Sequence, residues 1–60
     1  DKAIALEPQN PEYYYNKGVV LYEKGRVIRA KEAFDRALAL NPNFVEAAMA
    51  RDEIIKGLRS

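Results

Sequence analysis

Apolar positions recur at three-and-four spacing in three separate runs of the chain, and each run is bounded by residues that break a helix. Pro8 and Pro11 bracket the first break, after which Tyr14, Lys17, Gly18, Leu21 and Tyr22 share one helical face. This spacing predicts a first helix over about residues 11–24, with Asn10 as N-cap and Pro11 in the first-turn position that proline tolerates. Gly25 then supplies the left-handed residue that commonly ends a helix. A second helix, about 27–40, is rich in good helix formers and places Val27, Ala30, Phe34, Ala37 and Leu38 on one side. Asn41-Pro42-Asn43 breaks the chain again. A third helix, about 44–58, aligns Phe44, Ala47, Ala48, Ile54, Ile55 and Leu58. Residues before Pro8 read as the last turns of an earlier helix, so the expected class is all-α.

The chain also repeats itself. Asp1-Lys2-Ala3-Ile4-Ala5-Leu6-Glu7-Pro8 returns as Asp35-Arg36-Ala37-Leu38-Ala39-Leu40-Asn41-Pro42, at an offset of 34 residues. The same register pairs Glu12 with Glu46, Lys17 with Arg51, Val20 with Ile54 and Leu21 with Ile55. A fixed period of this length marks stacked helical units, none of which buries its apolar face alone.

The residues Tyr14-x-x-Lys17-Gly18-x-x-Leu21, then Ala30-x-x-x-Phe34, then Ala37 and Pro42 resemble the tetratricopeptide repeat pattern of the same period. The resemblance implies a right-handed α-α superhelix. Residues 1–60 would form a single domain: 1–8 the end of a preceding repeat, 11–42 one complete repeat, and 44–60 the first helix of the next or a capping helix. It implies that Gly18 and Ala30 face each other across the helix pair with Phe34 beside them. Two positions depart from the pattern: Lys17 stands in the leucine slot and Arg51 repeats it, which predicts either a buried aliphatic stem or an ion pair with an acid of the adjoining helix. Asp52 stands in the glycine slot of the third helix, which favours a partly polar capping role.

As such repeats act by binding, the resemblance also implies that first-helix residues turned away from the second helix line a concave groove. Those residues are Glu12, Tyr15, Asn16, Val19, Tyr22 and Glu23. Tyr15 and Tyr22 offer apolar faces with a hydroxyl, and Asn16 can both donate and accept toward an extended backbone. The two glutamates argue against an acidic ligand. The expected function is a scaffold that binds a peptide or partner protein. An alternative is a self-associating fragment whose terminal helices stack on a second copy, and a remoter one is an RNA-binding repeat.

Composition narrows the chemistry. Cysteine and histidine are both absent, which removes thiolate sites, the commonest general base and the commonest transition-metal ligand. No Gly-rich phosphate loop, hydrolase elbow or metal-ligand cluster is present, so no enzyme, cofactor or metal is expected. Ten Lys/Arg against nine Asp/Glu leave a formal charge of +1 with the signs interspersed, which does not indicate nucleic acid. The run Tyr13-Tyr14-Tyr15 cannot form one stacking platform, because successive helical residues point about 100° apart. Lys31–Asp35 and Glu32–Arg36, at four-residue spacing, are expected as surface ion pairs. No apolar run reaches membrane-span length, and the expectation is a soluble, cytoplasmic chain. It opens without Met, so a targeting segment in a longer parent stays compatible with the sequence.

Overall fold

Each helix begins or ends where the local sequence satisfies the backbone. The computed structural model describes residues 10–59, which form α1 (Pro11–Glu23), α2 (Val27–Leu40) and α3 (Val45–Arg59). The expected earlier helix before Pro8 lies outside the described residues. Asn10 has extended backbone angles, and its Oδ1 accepts from the Glu12 amide at 2.9 Å, with Pro11 in the first turn behind it. At the other end of α1 the Gly25 amide donates to the Tyr22 carbonyl at 3.0 Å, and the Arg26 amide to the Leu21 carbonyl at 2.9 Å. This is the paired closure of a Schellman motif, and it requires the left-handed φ of +82° that Gly25 adopts.

The break after α2 is an asparagine device. Asn41 precedes proline and is extended, and its Oδ1 accepts from the Asn43 amide at 3.1 Å while its carbonyl accepts from Phe44 at 3.0 Å. Observed boundaries fall within one residue of those the breakers predict.

Packing of α1 on α2 turns on one missing methyl group. Phe34 is 2% exposed, and a Cβ built on Gly18 would lie 2.7 Å from its ring. Glycine therefore lets the helix backbone approach the ring face. The sequence pattern expects Gly18 opposite Ala30 with Phe34 beside them; in the structure the three nearest atoms to that Cβ position all belong to Phe34. Ala30, Ala33 and Ala37 are buried along α2, and Tyr14 is buried on α1. Burying the Phe34 side chain contributes about 1.5–3 kcal/mol.

The third helix uses a different face. Ala47 and Ile54 of α3 enter the same core as Phe34 and Ala37. Val20 is the residue in register with Ile54, yet it is 48% exposed where Ile54 is 3% exposed. In α1 the helix that follows covers Tyr14 and Gly18; in α3 the helix that precedes covers Ala47 and Ile54. Leu58, expected on the apolar stripe of α3, is exposed.

Asp35 ties α2 to α3. It accepts from Lys31 Nζ at 3.0 Å within its own helix and from Arg51 Nη1 at 3.3 Å across the interface. Arg51 thus takes the ion-pair option offered by its place in the leucine slot. Lys17, in the same register, is exposed. Arg36 departs from its expected pairing with Glu32: its guanidinium sits 5.6 Å from the centroid of the Tyr14 ring, a cation–π geometry, and the two residues form no ion pair among the described residues.

Candidate functional site

Because α1 and α3 both pack on α2, they leave a groove between them. Its floor consists of residues already fixed by the core. The Tyr15 ring lies 5.7 Å from that of Phe34 and 5.3 Å from that of Phe44, tilted against both. Val19 and Ala50 pack partly buried against the same cluster. These contacts tie the floor of the groove to the core.

The groove holds two depressions. One, of about 280 Å³, is lined by Glu12, Tyr15 and Asn16 of α1 with Phe44 and Glu46. The other, of about 260 Å³, is lined by Val19, Tyr22 and Glu23 of α1, Phe34 of α2, and Ala50 and Glu53 of α3. All six sequence-derived candidates line one depression or the other. They differ in exposure: Glu12, Asn16, Tyr22 and Glu23 are exposed and form the rim, whereas Tyr15 and Val19 are half-buried. Tyr15 therefore belongs to the floor more than to the projecting rim.

Sequence reading confined the groove to the first helix and so missed Phe44, Glu46, Ala50 and Glu53. The repeat register carried that signal, since Glu46, Ala50 and Glu53 stand 34 residues after Glu12, Asn16 and Val19. A concave face shared by successive first helices draws on the same register positions in each.

Charges interspersed in sequence are separated in space. The linings of the two depressions include Glu12, Glu23, Glu46 and Glu53 and no Lys or Arg. A cleft of about 220 Å³ between α1 and α2, lined by Tyr14, Lys17, Leu21, Arg29, Glu32, Ala33 and Arg36, has three basic residues and one acid. Helical rotation of about 100° per residue sorts neighbours such as Asn16 and Lys17 onto different sides. Among the described residues no group of three or more acidic side chains is arranged to hold a metal ion, and no helix is long and apolar enough to cross a membrane.

Residues 11–44 match the tetratricopeptide repeat family. Over 36 residues, 60% of this chain, the sequence is 50% identical to an uncharacterized protein of Methanocaldococcus jannaschii, and it spans 42% of that relative's length. No solved structure gives a significant match. With the family match covering α1, α2 and the turn into α3, and three helices stacked in its 34-residue register, the chain belongs to the tetratricopeptide repeat family, whose repeats generally mediate protein–protein interaction.

Proposed function

We propose that the groove between α1 and α3 binds an extended segment of a partner protein. The observation that carries this reading is a rim of exposed Tyr22, Asn16 and glutamate side chains over a floor of Tyr15, Val19, Phe34, Phe44 and Ala50 held by the core. Ordering a ligand on a surface that is already ordered costs less than ordering both partners. Tyr22 supplies an apolar face with a polar tip, and Asn16 supplies a donor and an acceptor for a peptide backbone. Recognition is non-covalent throughout. Replacing Tyr22 or Asn16 by Ala is expected to abolish or strongly weaken capture of a peptide ligand while helicity by circular dichroism is unchanged. Unchanged affinity in both variants would move the site elsewhere.

A second reading is self-association, favoured by one observation. Met49 is 63% exposed, whereas Tyr15, in register with it, packs on Phe34. With Val45, four residues before it, Met49 makes an exposed apolar side of α3 that a helix from a second copy would cover. Light scattering over a hundredfold concentration range separates the readings: a constant monomer mass eliminates this one.

A further inference from the structure

The groove has a charge of one sign, and its ligand must answer it. We infer that the segment bound between α1 and α3 is basic, with two Lys or Arg side chains set about three to four residues apart, one for each depression. This rests on the groove being the binding site, as proposed above, and adds the chemistry of the occupant.

Three observations carry it. First, each depression pairs a glutamate from α1 with one from α3: Glu12 with Glu46 in one, Glu23 with Glu53 in the other. All four are exposed on the rim, and the described ion pairs engage Asp35 and none of these glutamates. Second, the chain does not lack cations; it holds ten Lys/Arg and a net charge of +1, so an acidic groove is a matter of placement and not of composition. Third, aromatic faces adjoin both carboxylate pairs, Tyr15 and Phe44 at one and Tyr22 at the other, and such faces accept the alkyl stem and the charge of a Lys or Arg.

The spacing follows from geometry. The α1 residues lining the two depressions, 12–16 and 19–23, are centred seven residues apart, or about 10 Å along a helix that rises 1.5 Å per residue. An extended chain advances about 3.3 Å per residue, so about three to four residues span that distance. A peptide with glutamates at those positions would set like charges against each other.

The test uses capped, fluorescein-labelled ten-residue peptides of one common sequence that differ only at two positions four apart, carrying Lys, Ala or Glu at both. Binding to the intact chain is read by fluorescence anisotropy. Exposed ion pairs each contribute about two- to fivefold in affinity, so the Lys peptide should bind about tenfold tighter than the Ala peptide, and the Glu peptide weakest. The preference should shrink sharply in 0.5 M salt. Glu12→Gln with Glu23→Gln should remove most of it, and Glu46→Gln with Glu53→Gln, on the other helix, should do the same if the first pair disturbs folding. Arg29→Gln, on the opposite cleft, should leave it intact. Equal binding of the three peptides, or tighter binding of the Glu peptide, overturns the inference and leaves the groove standing as a site. Failure of every peptide to bind takes the groove reading down with it.

Discussion

The two sides of α1 share tyrosine and put it to opposite uses. Toward α2 it presents Tyr14 and Gly18, buried to the point where one added methyl would strike the Phe34 ring. Toward the groove it presents Glu12, Asn16, Tyr22 and Glu23, which are exposed, above half-buried Tyr15 and Val19. Tyrosine is core on one side and rim on the other. What separates the uses is angle around the helix, and the substitutions that follow should divide along that line.

The largest effect is expected where both sides share a residue. Phe34 fills the space against Gly18 and also floors the groove, so Phe34→Ala should cost about 3–5 kcal/mol. In a chain of this size that is comparable to the whole stability. Circular dichroism should show most helicity lost.

A sharper division comes from one kind of change made two residues apart. Gly18→Ala forces the Phe34 ring to move, costing about 1–3 kcal/mol by overpacking, against about 1 kcal/mol gained in helix propensity. Asn16→Ala keeps the propensity gain, with no buried neighbour to displace. Thermal melts should therefore show Gly18→Ala lowered and Asn16→Ala unchanged or raised. Equal shifts would erase the distinction between the two sides.

Smaller again is the turn that aims α2 back along α1. Gly25 has φ of +82° with open space around its Cβ position, so Gly25→Ala should lose about 1 kcal/mol through backbone strain alone. Denaturant titration should show a lower midpoint with an unchanged slope. The smallest effect is expected at Asp35, whose partners Lys31 and Arg51 are both about a third exposed. Asp35→Asn should cost less than about 1 kcal/mol. The Nε of Arg51 is buried without a hydrogen-bond partner among the described residues, which further limits what that pair contributes.

The features readable in the sequence are the local ones. Asn10, Gly25 and Pro42 set helix ends through atoms a few residues away, so their signals survive without knowledge of the fold. Burial in α1 and α3 was less legible. Val20 and Ile54 are equivalent in register and similar in kind, yet one is exposed and the other buried, because α2 covers a different face of each helix. Lys17 and Arg51 diverge for a related reason: Asp35 of α2 stands beside Arg51, while Lys17 lies on the exposed side of the cleft with Arg29 and Arg36. The groove was half legible. Its α1 wall followed from the resemblance, but the α3 wall needed the repeat register applied to groove positions as well as to core ones. Charge was legible on one wall only: Glu12 and Glu23 were placed on the α1 side of the groove, whereas Glu46 and Glu53 join them only through the α3 wall.

The most direct test of the division is backbone amide NMR of the ¹⁵N-labelled chain titrated with the Lys-bearing peptide. Shift changes should gather at Glu12, Asn16, Val19, Tyr22 and Glu23 and at Glu46, Ala50 and Glu53 across the groove, while Lys17, Arg29 and Arg36 stay unmoved. Changes centred on Lys17, Arg29 and Arg36, or on Val45 and Met49, would show that the side facing the groove is not the one that binds.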